Sequence, residues 1–306
     1  MTDSSGITVQ CPDPVVRVAL EAWLAGLRLA VPASLFLNVD VSEREPEPLG
    51  DTVFEQPELR FGPGPEGRGL RVVWDHAPAI ADLPAGATTA SVRLSPEAVA
   101  GLDRCTRTFL FTVVVLLLRR VGWYHLHAAT AIDPGGRGWL VTGNANAGKS
   151  TTAALLAASG WKVGTDDAAF LERRSERILV HATHAPIALR EGGRRLLASA
   201  GGIMLPDRGK YGFWPEDLGG IWTPLVSPDI VIFPTVGRTR TTAQPIPGAA
   251  ALAELVRWSA WVLLEPDLAQ RHLDVLSQLA RQARCYRVTL GRDLFARPNR
   301  LIDLVT

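Results

Sequence analysis

Gly143-Asn144-Ala145-Asn146-Ala147-Gly148-Lys149-Ser150-Thr151 decides how the rest of the chain is read, because it matches the phosphate-binding pattern G-x-x-x-x-G-K-[ST] in full. An apolar strand candidate, Trp139-Leu140-Val141-Thr142, precedes it. Helix-forming Thr152 to Ala158 follows, with Gly160 where a C-cap glycine belongs. In that context the loop amides and the free N–H groups of the first helical turn point into one concavity, where the helix dipole adds partial positive charge. A nucleotide triphosphate is the ligand implied. Lys149 would neutralise its β and γ phosphates, and the Ser150 hydroxyl would complete the shell of a Mg²⁺ ion that keeps most of its waters. Gly148 lets the backbone approach without a Cβ. Asn146 stands where a second glycine is often found, and asparagine is the non-glycine residue that best tolerates a left-handed backbone.

Just downstream, Asp166 and Asp167 follow one helix and one short strand candidate, Trp161 to Thr165, within the same βαβ unit as Lys149. A strand starting beside the loop strand would bring its C-terminal end next to the phosphates, where ligands of open α/β sheets bind. One carboxylate would then serve as general base toward a hydroxyl nucleophile while its neighbour supports Mg²⁺ or its waters; the other reading is a solvated turn after a strand. Upstream, Tyr124 to Ile132 reads as a strand, Pro134 to Gly138 as a tight turn, and the loop strand follows, so the phosphate loop is reached from a hairpin-like unit. His125 and His127 lie two apart on that strand and share a face, which can carry one of them toward the aspartates.

Composition narrows the class. At 306 residues with 47% hydrophobic side chains the chain can bury one large or two ordinary domains. Its 32 basic and 31 acidic residues nearly cancel, so no global field draws it to nucleic acid or to an anionic membrane. Cys11, Cys105 and Cys285 are widely spaced and form no C-x-x-C pair, which argues against a disulfide framework or zinc site and suits a reducing cytoplasm. The first residues lack a basic segment followed by an apolar core, so no secretory signal is expected. The longest apolar run, Phe109 to Leu118, is bracketed by arginines and too short for a bilayer of about 30 Å, so it reads as a buried helix.

Before residue 95 the pattern is an amphipathic helix from Pro14 to Leu27 among short strands, Ile7 to Gln10, Ser34 to Val41, Glu58 to Phe61, Leu70 to Trp74 and Ala87 to Leu94, with turns rich in Pro and Gly. This is a small α+β module with no metal cluster, nucleophile motif or phosphate loop of its own. Ser95-Pro96-Glu97 opens a helix expected to run to Val121. Beyond the aspartates come strands Ala169 to Glu172, Ile178 to His181 and Ile187 to Leu189, then a helix Arg194 to Ala200. A loop from Gly201 to Gly220 follows. Strand Pro228 to Phe233, helices Ala249 to Leu264 and Asp267 to Ala283, strand Tyr286 to Leu290 and a short terminal helix complete the chain. Trp214 and Trp222 flank the long loop and read as core or rim packing, while Arg208 and Lys210 within it can reach a transferred phosphate or simply be solvated.

The order histidine on a strand, turn, GxxxxGKST, helix ending in glycine, short strand, Asp-Asp resembles the catalytic core of the HPr kinase/phosphorylase family, including its relatives encoded beside ribosomally made peptides. The segment carrying it is His127 to Leu171, with weaker likeness through Pro186 to Arg190, Arg208 to Tyr211, Pro228 to Phe233 and Tyr286 to Leu290. The resemblance implies an α/β fold: an HPr-kinase-like P-loop domain with mixed sheet and flanking helices over residues 96–306, preceded by the α+β module at 1–95. It implies ATP- and Mg²⁺-dependent transfer to a serine of a small protein or peptide, by an enzyme that is often oligomeric. By position, Lys149 and the loop amides would hold phosphates, Ser150 the metal, Asp166 the substrate hydroxyl as base and Asp167 the metal environment, with His127 hydrogen-bonded to Asp166. Asn146 in place of a loop glycine, and Arg190-Glu191-Gly192-Gly193 as a rearranged substrate motif, depart from the family pattern, which leaves open the reverse phosphorylase reaction and HPr itself as substrate. Two other readings keep the core: a kinase of a small-molecule acceptor, and a non-catalytic module whose grip on a partner depends on nucleotide.

Overall fold

The computed structural model describes residues 6–43, 49–103, 105–196, 202–205, 209–237, 239–259 and 261–305. The chain packs as two units, Met1–Trp123 with Leu263–Ala269, and Tyr124–Val262 with Gln270–Thr306. Residues 96–123, assigned from the sequence to the second domain, therefore pack with the first.

The first unit contains Ile7–Gln10 (β1), Pro14–Gly26 (α1), Leu35–Val41 (β2), Phe54–Gln56 (β3), Leu59–Pro63 (β4), Leu70–Trp74 (β5), Ala79–Leu83 (β6), Thr89–Leu94 (β7), Pro96–Ala100 (α2) and Thr106–Arg120 (α3). The strands form one sheet in the order β1-β2-β7-β6-β5-β4-β3, parallel across β1, β2 and β7 and antiparallel beyond. β3 and β6 were not expected; β3 has only three residues, and β6 is buried almost throughout and does not alternate. Asp13 caps α1 by accepting from the N–H groups of Val15 (2.8 Å) and Val16 (3.1 Å), and the helix buries Val16, Leu20 and Leu24.

The helix expected from Ser95 to Val121 is two helices. Ser95 caps the first as predicted, accepting from Ala98 N–H at 3.1 Å, but the chain leaves helical geometry at Gly101, and Thr106 Oγ1 donates to the Ala98 carbonyl at 2.6 Å. Glycine is a poor helix former, and here it ends the first segment. The apolar run lies in α3, buried all round, with Phe109 stacked on Trp74 at 6.2 Å. Among the described residues no helix is long and apolar enough to cross a membrane.

From Trp123 on, the chain, most of it in the second unit, contains Trp123–Ile132 (β8), Gly138–Thr142 (β9), Lys149–Ala158 (α4), Lys162–Val163 (β10), Ala168–Arg174 (β11), Arg177–Ala182 (β12), Ile187–Leu189 (β13), Glu191–Leu196 (α5), Ile203–Leu205 (β14), Lys210–Phe213 (β15), Ile221–Trp222 (β16), Leu225–Val226 (β17), Pro228–Val236 (β18), Thr242–Pro245 (β19), Gly248–Arg257 (α6), Pro266–Gln282 (α7), Arg284–Leu290 (β20), Asp293–Ala296 (α8) and Arg300–Val305 (α9). Its main sheet runs β17-β12-β11-β8-β9-β18-β20-β19, with β10 also on β8 and β16 on β10. β9, β18 and β20 are parallel neighbours, while β8 is antiparallel to β9, so the sheet is mixed.

Alternation along the central strands feeds two cores. Trp139, Val141, Ile230 and Ile232 pack with Leu155 and Leu156 of α4. Leu140, Val231 and Phe233 pack with Leu255 of α6 and Leu276 and Leu279 of α7. The sheet is thus covered on both faces, which explains why its middle strands read as continuous apolar runs. The segment 201–220 is not one long loop: β15 pairs with β13 and β14 in a small sheet of its own. The helix expected at Arg194 to Ala200 begins earlier, at Glu191, and its last four residues lie outside those described, as does Arg208.

At the end of α4, Gly160 takes a left-handed backbone (φ +79°). Its N–H reaches the Ala157 carbonyl and that of Trp161 the Leu156 carbonyl, a Schellman closure. Gly160→Ala should cost about 1 kcal/mol, seen as a lower thermal midpoint with an unchanged far-UV circular dichroism spectrum at low temperature.

Candidate functional site

β9 ends at Thr142 and α4 starts at Lys149, so the glycine-rich stretch is the strand-to-helix turn itself. Asn146 sits at φ +64°, the left-handed conformation that its side chain tolerates and that a glycine elsewhere supplies. Gly148 (φ +100°) precedes the helix, and a Cβ there would lie 2.8 Å from Leu290 Cδ1 of β20. No side chain caps α4, so its first turn offers backbone N–H groups outward. Lys149 is 5% exposed, and its ammonium donates to the carbonyls of Gly143 (2.8 Å) and Asn144 (2.9 Å). Burial, the largest influence, pushes its pKa below the ordinary lysine value; Asp167 and Asp166 oppose that, and Lys210 adds to it.

The aspartates do not arrive on a strand beside β9, as expected. The hairpin strand β8 occupies that edge, with Ala128 opposite Thr142, and the chain from β10 onward runs along the far side of β8. There Gly164 N–H donates to the Thr130 carbonyl, Thr130 N–H to the Thr165 carbonyl, and Ala128 N–H to the Asp167 carbonyl. Ala128 therefore stands between Thr142 and Asp167, about two strand spacings of 4.8 Å apart, at the end of the sheet where the glycine-rich turn begins.

The two carboxylates have different surroundings. Asp166 is 3% exposed and accepts hydrogen bonds from the Ser150 hydroxyl and from the Ala188 N–H (3.1 Å). Burial raises its pKa most, and Asp167 raises it further; the Ser150 and Ala188 bonds and the Lys210 charge pull it down without cancelling the rise. Asp167 is half exposed, and its Oδ1 lies 2.8 Å from His127 Nδ1, which also lies 3.0 Å from the Asp167 carbonyl oxygen. Both partners are acceptors, so Nδ1 carries the hydrogen. The expected pairings are thus exchanged: His127 bonds Asp167 rather than Asp166, and Ser150 bonds Asp166 rather than sharing a site with Asp167. The register explains it, because Asp167 lies directly across from β8 and Asp166 points the other way, toward the start of α4.

His125, on the same face of β8 as His127, packs edge-on against Phe170 at 5.6 Å. Burial pushes its pKa down to about 4, so it is neutral at physiological pH. Lys210 at the start of β15 is near enough to bias both Asp166 and Lys149 electrostatically. Trp214 stacks on His184 at 4.6 Å and Trp222 meets the same ring edge-on at 4.7 Å, so these tryptophans pack against a side chain.

Sequence reading missed the device that shapes the aspartate turn. Buried Thr165 accepts at Oγ1 from the N–H groups of Asp167 and Ala168 (both 3.3 Å), its own N–H donates to Thr130 Oγ1 (3.2 Å), and Thr183 Oγ1 donates to the Ala168 carbonyl (3.2 Å). A threonine directly before Asp-Asp is the available signal, since its hydroxyl commonly caps the amides that follow.

Asp166 and Ser150 supply oxygen donors of the kind Mg²⁺ takes, with phosphates and waters completing the shell. Among the described residues no group of three or more His, Cys, Asp or Glu is placed to hold a metal; an ion held chiefly by phosphates needs none.

No family model and no curated protein sequence matches the chain. Among solved structures, the HPr(Ser) kinase/phosphatase from Coxiella burnetii is similar over 58% of this chain and 93% of its own, at 13% identity and a TM-score of 0.32. Those values are too low to define a shared fold.

Because the folded state raises the Asp166 pKa, it binds more protons than the unfolded chain between the two pKa values, and stability falls as pH rises through that window. Asp166→Asn should therefore melt at the same or a higher temperature than wild type at pH 7.5. The difference should shrink as the pH is lowered through the carboxylate range, followed by differential scanning fluorimetry.

Proposed function

We propose that the chain is an ATP- and Mg²⁺-dependent kinase that transfers the γ-phosphate to a serine hydroxyl of a small protein or peptide. The observation that carries this reading is the split pair: a buried carboxylate bonded to the loop serine, and beside it a half-exposed carboxylate oriented by a histidine. The glycine-rich turn and Lys149 would hold the β and γ phosphates, the ammonium giving up two backbone carbonyls for phosphate oxygens. Ser150 and Asp166 would hold Mg²⁺, which when bound neutralises charge on the phosphates.

Asp167 then has the base's place. It takes the proton from the acceptor hydroxyl as that oxygen bonds to the γ-phosphorus; the bridging bond to the β-phosphate breaks and ADP leaves. His127 holds the carboxylate of Asp167 in orientation. This exchanges the roles the resemblance implied for Asp166 and Asp167, and it follows from which carboxylate solvent can reach. Lys210, whose charge acts on Asp166, would add positive charge beside the transferred phosphoryl group.

With labelled ATP, Mg²⁺ and serine-bearing peptides, Asp167→Asn should lower kcat by about 10²–10⁴-fold while nucleotide affinity, read by fluorescence titration, changes little. Lys149→Ala should abolish transfer and weaken nucleotide binding. Full turnover by Asp167→Asn would refute the assigned base, and transfer to metabolites but to no peptide would replace the acceptor class.

A further inference from the structure

One face of the first unit's sheet carries a cavity of about 450 Å³, lined by both apolar and polar side chains and within the range of small-ligand sites. Burial alternates along β2 and β7, so Asn38 and Asp40 rise from one strand beside Ser91 and Arg93 of the next. Register aligns these side chains in two rows. Asp40 faces Arg93, which in turn faces Ile80; Gln10 faces Asn38, then Ser91, then Asp82. All of them line the cavity.

Asp82 is already engaged: Arg71 holds both its carboxylate oxygens, at 2.6 and 2.9 Å. That pair cancels internally and leaves one anion and one cation facing the cavity. Asp40 and Arg93 sit on adjacent strands about 4.8 Å apart, yet among the described residues neither has a hydrogen-bond or ion-pair partner. Two residues further along, Asn38 Oδ1 is buried with no hydrogen-bond partner, which is costly unless a donor meets it.

We infer that this cavity binds a zwitterionic α-amino acid whose side chain carries a hydrogen-bond donor. The ligand's carboxylate meets Arg93, its ammonium meets Asp40, and its side chain reaches the row of Asn38, Ser91 and Gln10, with Ile80 as apolar floor. One carbon bears both charges of such a ligand, so a single molecule spans the two strands. A phosphate or nucleotide is disfavoured because Asp40 faces the cavity, and a bare cation because Arg93 does. The site is independent of the phosphate-transfer reading.

The test is calorimetric titration of the full chain with L-glutamine, N-acetyl-L-glutamine and L-glutaminamide. L-Glutamine should bind saturably, and blocking either charged group should weaken it at least about tenfold. Arg93→Gln and Asp40→Asn should each cost a similar factor while leaving the melting temperature unchanged; Arg93→Lys, which keeps the charge, should retain part of the affinity. No saturable heat up to about 10 mM, equal binding of the blocked forms, or wild-type affinity in folded Arg93→Gln and Asp40→Asn would overturn the assignment.

Discussion

Ala128 is held from both sides. It pairs in register with Thr142 at the end of the loop strand, and its N–H donates to the Asp167 carbonyl on the opposite edge. That backbone arrangement brings Lys149, Asp166, Asp167 and His127 to one end of the sheet. A slip of β8 by one residue would turn His127 toward the core formed by Tyr124, Leu126 and Leu140 and put an alanine or leucine beside Asp167. The apolar alternation on the two faces therefore protects the polar geometry at their edge.

Burial then separates two carboxylates that are neighbours in the chain. Asp166 is enclosed and anchored by a hydroxyl and an amide, whereas Asp167 reaches solvent and answers to a histidine. Two adjacent carboxylates resist joint ionisation, and here desolvation adds to that resistance for the inner one. The proposed transfer assigns the inner group to a metal shell and the outer group to the acceptor.

Much of this was legible in sequence. The glycine-rich strand-to-helix turn, its flanking strand and helix, the left-handed Asn146, the glycine after α4 and the shared face of His125 and His127 are all local properties, set by a few neighbouring residues. What was not legible depended on register. Which edge of β9 is free is decided by the β8 hairpin, and only that choice determines which aspartate meets His127. The break at Gly101 was hidden by the strong apolar run beyond it, β3 by its brevity and β6 by its lack of alternation. Thr165 was passed over because its work is done by one hydroxyl on two backbone amides.

The hairpin has a consequence for how the protein forms. Every group of the proposed transfer centre except Lys210 comes from the contiguous stretch His127 to Asp167, joined by a tight turn, a ten-residue helix and a short strand. Its longest closure, His127 to Asp167, spans 40 residues against 91 between Gly138 of β9 and Asp229 of β18, so somewhat less loop-closure entropy opposes it. Closing the sheet with β18 and β20 then draws on still more distant parts of the chain.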